Sequence, residues 1–427
     1  MKRSTKTIRF AAVAAASALV LAACGGSDSG DKKKADPVAK GDGVLTVGSL
    51  LPQTGSLAFL GPPEFAGVDL GIEEVNAGGG VLGKPIKGVK ADSGDVDSGI
   101  APSESDKLIK AGSDVIVGAA SSGVTATVID KIMSSGVVQF SPANTSTDFD
   151  LKKYSKPDLY FRTAPSDILQ GAVMANLLLK DGRQNVAILA RQDAYGKTLA
   201  QEVTKGLEAA GSKVAKTEFY SENGAPADSQ LTDIAAAKPD ALLLIAFEET
   251  TKIVPNLIQA KAGPQDVPTY FVDGNTADYK QDSKNPDKKY LPEGTLKGVK
   301  GTIPGAEATG DFRKRLLGVN PKLTDFSYAG ESYDAVITSA LAAVAAKSDA
   351  GANIAKALID VTKGGEKCTS FKDCKALLDD GKDIDYDGVS GPIEFGPTGS
   401  PTSASIGIYE YSADNTYKPI DYIKGDI

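Results

Sequence analysis

VIVGAASSGVTATVIDKIMSSGVVQF, Val115 to Phe140, holds the architecture in one stretch. Val115 to Gly118 is a short β-rich run, Gly118 to Gly123 is a loop of small residues, Thr125 to Met133 reads as a helix, and Val137 to Phe140 is β-rich again. Strand, loop, helix and strand in that order form a βαβ unit, and its helical crossover makes the two strands parallel.

The same alternation continues on both sides. Val44 to Leu50, Val186 to Leu189, Leu242 to Ala246 and Thr269 to Val272 read as further buried strands. Phe65, Val68, Ile72 and Val75 recur at helical spacing, as do Leu199, Val203 and Leu207, and Tyr333, Val336, Ile337, Ala340, Leu341 and Val344. The chain is therefore α/β with parallel sheets. One βα series precedes residue 163 and another follows it, the second opening at Phe161-Arg162-Thr163-Ala164-Pro165-Ser166-Asp167. Two lobes are expected, without a sequence repeat of fixed period.

The N-terminus reads as an export signal. Lys2, Arg3, Lys6 and Arg9 precede an uncharged run, Phe10 to Ala23, that is too short to span a bilayer. It ends in Leu21-Ala22-Ala23-Cys24-Gly25, which resembles the bacterial lipobox, so residues 1–23 are expected to be removed and Cys24 to carry lipid. Residues 24–43, rich in Gly, Ser, Asp and Lys, have too little apolar surface to fold and read as a flexible tether. The expected location is the extracytoplasmic face of the cell membrane.

Lys and Arg number 47 against 55 Asp and Glu, a net charge of -8. Loss of the signal removes four basic and no acidic residues and takes this to -12, which argues against a nucleic-acid partner. Beyond Cys24 only Cys368 and Cys374 remain, and in an oxidising compartment a disulfide is the leading reading, with a metal pair as the weaker one. The chain has no His, so a transition-metal site would need carboxylates alone, and no metal or other cofactor is expected.

Several stretches together resemble the leucine/isoleucine/valine-binding type of periplasmic binding protein in its Gram-positive lipoprotein form. They are GSLLPQTGSLAFLG (Gly48 to Gly61), EEVNAGGGVLGKPI (Glu73 to Ile86), GAASSGVTATVIDKIMSSGVVQFSPANTS (Gly118 to Ser146), YFRTAPSDILQG (Tyr160 to Gly171), DAYGKTLAQ (Asp193 to Gln201), KPDALLL (Lys238 to Leu244) and YDGVSGPIEF (Tyr386 to Phe395). The resemblance implies a type I periplasmic binding fold, two Rossmann-like lobes joined by three crossover strands with ligand between them. Lobe one would hold residues 44–163 and 303–390, and lobe two residues 164–302 and 391–427.

It also implies a function: a monomeric extracytoplasmic receptor that binds an amino acid of branched-chain type and delivers it to an ABC permease. By resemblance, Ser122 binds the ligand carboxylate, and Ala143, Asn144 and Thr145 supply backbone and hydroxyl contacts to the amino-acid head. Tyr195 is the family's cleft tyrosine, Phe247 stands where tyrosine is common, Asp273 pairs with the ammonium, Tyr328 lines the side-chain pocket, and Leu60 replaces an aromatic. The residues themselves agree at Ser122, where loop amides and a helix N-terminus suit an anion. The same residues also admit plainer roles: a helix cap at Ser122, core packing for Tyr195 and Phe247, and a turn at Asp273-Gly274.

Two motifs stand apart. Gly78 to Pro85 nearly spells a phosphate-binding loop, but it follows a helix, and Pro85 replaces the hydroxyl residue, so its glycines are expected to end that helix and turn the chain. Asp383, Asp385, Asp387, Gly388 and Glu394 match a calcium loop, with a possible helix at Phe371 to Asp379 before it and none after it. Enzymes built on Ser-His or Cys-His pairs are excluded by the lack of His, and no catalysis is expected. A sensory receptor lipoprotein, or an importer receptor for an amide, urea or an aromatic acid, is the alternative reading.

Overall fold

Among the described residues as far as residue 271, nine strands and seven helices alternate, and they build two sheets of like design. The first half comprises β1 (Thr46–Leu51), α1 (Gly61–Ala77), β2 (Lys87–Asp92), α2 (Ala101–Lys110), β3 (Val115–Gly118), α3 (Ser122–Ser134), β4 (Val138–Ser141) and β5 (Tyr160–Arg162). The second comprises α4 (Asp167–Lys180), β6 (Asn185–Arg191), α5 (Ala194–Ala209), β7 (Lys213–Tyr220), α6 (Asp228–Ala236), β8 (Ala241–Ile245), α7 (Thr250–Gln259) and β9 (Thr269–Phe271). The structure is a computed structural model and describes residues 41–427 except 152, 155–157, 222–223, 284–287 and 309. The expected signal, Cys24 and the tether as far as residue 40 lie outside the described residues.

Then follow β10 (Lys300–Pro304), α8 (Gly310–Val319), α9 (Ala329–Ala346), α10 (Gly351–Asp360), β11 (Glu366–Cys368), α11 (Phe371–Asp379), β12 (Ile384–Gly388), β13 (Gly391–Pro392), β14 (Ser403–Tyr411) and β15 (Tyr417–Asp426). The first sheet runs β2-β1-β3-β4-β5, all parallel. The second runs β15-β14-β10-β9-β8-β6-β7, parallel from β7 to β10, with β14 and β15 added antiparallel at the edge. Its parallel part, β7-β6-β8-β9-β10, repeats the order of the first sheet. Five strands in the same order on each side explain why the halves look alike in pattern and not in sequence.

The chain passes between the sheets three times: after β5, back after β10, and again after β13. Arg162 ties these passages together. It is fully buried, its Nε donates to Ser400 Oγ at 2.8 Å, its Nη1 to the carbonyls of Asn144 and Ser146 at 3.2 and 2.8 Å, and its Nη2 to both oxygens of Asp150 at 2.8 Å. The returning segment adds the Arg162 amide to the Gly399 carbonyl at 3.0 Å.

Apolar faces cover both sides of each sheet, as parallel sheets require. Under the first sheet, α1 lies directly on α9, because Gly67 leaves room for the Ala329 carbonyl; a Cβ there would come within 2.2 Å of that oxygen. Where the described chain begins, Asp349 Oδ2 accepts the successive amides of Asp42, Gly43 and Val44 at 2.9, 2.5 and 2.8 Å. Cys368 and Cys374 form a disulfide joining β11 to α11. No helix among the described residues is long and apolar enough to cross a membrane.

The two misleading motifs resolve locally. Gly78 caps α1, and Val81 and Lys84 pair across a tight turn, so the glycine-rich segment turns the chain. The acidic run is strand β12, whose Asp385 and Asp387 both pair with Lys367 Nζ, at 3.0 and 2.9 Å. Among the described residues no group of three or more ligating side chains could hold a metal.

Candidate functional site

In parallel α/β sheets, loops at the carboxyl ends of the strands meet where the strand order reverses, and a crevice forms there. Both sheets bring such loops to one pocket. The first contributes Leu57 and Leu60 after β1, Ala120, Ser121 and Ser122 after β3, and Ala143 after β4; the second contributes Tyr195 after β6, Phe247 after β8, and Asp273 and Gly274 after β9. Tyr328, just ahead of α9, completes the wall.

The β3 loop is shaped by its small residues. Gly118, at φ 122°, passes so near the Leu50 carbonyl that a Cβ would lie 2.0 Å from it. Ser121 then caps α3, its hydroxyl accepting from Val124 N at 3.4 Å, so the helix begins earlier than Thr125 and places Ser122 in its first turn. Ser121 and Ser122 therefore line the pocket at the positive end of a helix.

Opposite it stands Asp273, the one ionisable carboxylate in the lining. Its Oδ1 accepts from Tyr195 Oη at 2.7 Å and Gln170 Nε2 at 2.9 Å, and its Oδ2 from Tyr328 Oη at 2.7 Å. Burial raises its pKa above the ordinary carboxylate range, and these three donors pull it back down in part. One lone pair of Oδ2 remains for a further donor.

Tyr195 and Phe247 stack at 5.5 Å between centroids and 20° between planes, and the guanidinium of Arg191 covers the Phe247 ring at 3.9 Å. Arg191 is fixed in turn by Asp193 at 2.9 Å and Glu249 at 2.5 Å. The aromatic wall is thus held rigidly and carries no free charge into the pocket.

Of the residues singled out in the sequence, Leu60, Ser122, Ala143, Tyr195, Phe247, Asp273 and Tyr328 are brought together, all of them buried. Asn144 and Thr145 lie beneath the wall instead. Asn144 donates to the carbonyls of Ala119 and Ala120 at 3.1 and 2.8 Å and accepts from Tyr160 Oη at 3.0 Å, so its amide braces the β3 loop. Thr145 sits by Asp167, with its hydroxyl and Asp167 Oδ1 lacking other partners, and burial pushes the Asp167 carboxyl up to about 7. Leu57, Ala120 and Gly274 went unnoticed because small or apolar loop residues give no chemical signal. Gln170 and Arg191 reach the site only through other side chains.

The pocket leaves about 260 Å³ free of atoms, counting the part open to solvent. Leu57, Leu60, Ala120 and Ala143 of the first half share one apolar cluster with Tyr195, Phe247 and the second sheet, and Glu248 N donates to the Ser56 carbonyl at 3.2 Å. The two halves are closed on each other.

The family model described as periplasmic binding protein matches residues 44–415. The chain belongs to the periplasmic binding protein family. Among relatives of this periplasmic binding protein is the Leu/Ile/Val-binding protein BraC3 of Rhizobium johnstonii, 29% identical over 395 residues, which covers 88% of this chain and 94% of the relative. The crystal structure of a Streptococcus pneumoniae branched-chain amino acid transporter substrate-binding protein, LivJ, in complex with isoleucine has a TM-score of 0.69 at 19% identity, covering 90% of this chain and all of that one. A Rhodopseudomonas palustris solute-binding protein in complex with 4-hydroxybenzoate has a TM-score of 0.70 at 16% identity, covering 90% and 98%. These two likenesses establish the type I periplasmic binding fold.

Proposed function

We propose that this periplasmic binding protein is the receptor of an ABC importer and that it closes around a zwitterionic amino acid of branched-chain type. The observation that carries this reading is the polarity of the pocket: a helix N-terminus with Ser122 on one wall, the Asp273 carboxylate on the other, and no basic side chain between them. The ligand carboxylate would take the Ser122 end, with the amides of the loop, and its ammonium the free lone pair on Asp273. Leu57, Leu60, Ala143 and the Tyr195–Phe247 stack would enclose an apolar side chain. The binding of leucine, isoleucine and valine by the BraC3 relative supports the same ligand class.

In this reading lobe one is residues 44–163 with 303–390 and lobe two 164–302 with 391–427, their edges shifted by a residue or two because β10 ends at Pro304 in the second sheet and β13 pairs with β12. Cys24 carries the lipid, residues 24–43 tether a monomeric receptor to the membrane, and the chain performs no catalysis. The support is the order of basic residues, apolar run, small residues and Cys in the sequence.

An aromatic carboxylic acid is the second reading, favoured by the ring walls of Tyr195, Phe247 and Tyr328. Calorimetry with leucine, isoleucine, valine, benzoate and 4-hydroxybenzoate separates the two, repeated on Asp273→Asn. Amino acids should bind the wild type and lose about 30-fold to several thousand-fold in the variant, the loss for truncating one partner of a desolvated charge pair. Benzoate binding that survives Asp273→Asn, with no amino acid bound by the wild type, would sink the amino-acid reading.

A further inference from the structure

Behind Tyr328 lies a second and larger cavity. It leaves about 1240 Å³ free of atoms, opens to solvent, and shares only Tyr328 with the ligand pocket. Its walls come from both halves of the molecule: Phe326 ahead of α9 and Glu331 in its first turn, and Tyr409, Tyr417 and Tyr422 on β14 and β15.

The chemistry of these walls is one-sided. Tyr409 meets Tyr417 edge to face at 5.4 Å and 81°, and Tyr422 at 6.3 Å and 76°, so three rings form the corner of a cage. Asp278, Glu307, Asp325 and Glu331 line the cavity against Arg313 alone, and Arg313 is already held 4.2 Å over the Phe326 ring. Asp325 reaches Tyr417 Oη at 3.4 Å.

Glu331 is the decisive residue. It is 5% exposed and lines the cavity, and among the described residues its carboxylate is met by its own backbone amide and by no cationic side chain. The backbone makes way for it at Gly305, where a Cβ would come within 2.2 Å of Glu331 Oε1. Burial holds its pKa at about 8, and an adjacent cation would favour the charged form. Aromatic rings lining one cavity with a buried carboxylate that no cation neutralises among the described residues are a pairing that recognises organic cations.

We infer that the cavity behind Tyr328 is a second binding site, for an organic cation with an apolar body, and that it holds the ammonium group between Glu331 and the Tyr409–Tyr417–Tyr422 corner. The occupant would touch both halves of the closed molecule and sit behind the tyrosine that bonds Asp273. This inference stands independently of which ligand fills the main pocket.

The test is calorimetric titration of the mature chain with benzyltrimethylammonium chloride at pH 8.5 and low salt, with benzyl alcohol as the neutral counterpart. Saturable one-to-one binding of the cation alone is expected, at least about tenfold weaker in Glu331→Gln and in Tyr409→Ala and unchanged in Ser122→Ala. Asp325→Asn serves in place of Glu331→Gln should circular dichroism show that the latter does not fold. Absence of saturation, equal binding of benzyl alcohol, or loss of binding in Ser122→Ala with none in Tyr409→Ala would overturn the assignment.

Discussion

Arg162 and Asp273 are both buried charges, and their surroundings give them opposite duties. Every donor of Arg162 that the passages between the sheets can reach is satisfied, and Asp150 neutralises it. Removing such a cation leaves two carbonyls unpaired and Asp150 with the hydroxyls of Ser166, Thr398 and Ser400 but no countercharge, so Arg162→Met should cost about 3 to 5 kcal/mol, read as a shift of the urea midpoint. A change under about 1 kcal/mol would show that water replaces the guanidinium without loss. Asp273 is left one acceptor short of full use, and burial favours its proton. In the proposed reading the ligand ammonium needs the charged form, so amino-acid affinity should weaken as pH falls toward the raised pKa of Asp273. Calorimetry across pH 5 to 8 checks it, and affinity that improves on acidification would contradict the role. Ser122, Tyr195 and Asp273 could be found in the sequence because each follows a strand and has a functional group. Asn144 and Thr145 were named alongside them, and one residue along a tight turn separates Ala143, in the pocket lining, from Asn144, whose side chain bonds the loop beneath.

At the scale of elements, α3 and the loop before it matter most. The Ser121 cap satisfies an amide at the helix end that faces the pocket. Ser121→Ala should lower stability by about 0.5 to 2 kcal/mol in thermal unfolding and weaken ligand binding with it, because an uncapped first turn frays where the proposed function seats the ligand carboxylate. Unchanged affinity would show that Asn144, together with Ser141, whose hydroxyl donates to the Ala119 carbonyl at 2.7 Å, is enough to hold the loop. The Cys368–Cys374 disulfide lies in another element pair, β11 and α11, and closes a short loop. Its reduction should cost about 2 to 3 kcal/mol in stability and leave affinity alone. The strong strands β1, β3, β4, β6, β8 and β9 were legible as apolar runs because both faces of a parallel sheet are covered. β2 and β7, at the sheet edges, were not: Lys87-Gly88-Val89-Lys90 and Lys213 to Tyr220 carry charges that a buried strand excludes. The helix start at Ser122 was placed late because Ser, Gly and Thr have weak helix propensity and packing overrides it.

The whole molecule stores several buried acids, and they set its response to pH. Burial lifts Asp114 and Asp167 to about 7 and Glu331 to about 8, from ordinary values of 3.8 and 4.5. Between those limits the folded chain keeps protons that the unfolded chain has lost, so stability falls as pH rises from about 4 to about 8. The melting temperature should be higher at pH 5.5 than at pH 8.5, and Asp167→Asn should flatten that slope; a slope of the opposite sign would mean these carboxyls are ionised in place. Asp92 and Asp181, whose hydrogen bonds and ion pairs lower their pKa against some burial, act below that window and in the other direction.

The repeated strand order carries one more consequence. Two sheets of the same plan, facing each other across a crevice, would receive a ligand equally well either way round. Here the loops break that equivalence, since the β3 side ends in a helix N-terminus and the β9 side in a carboxylate. Under the proposed function a guest with unlike ends would be read like a keyed plug: head and tail distinguished before the side chain is felt, and a guest with two like ends meeting a repulsive wall at one of them.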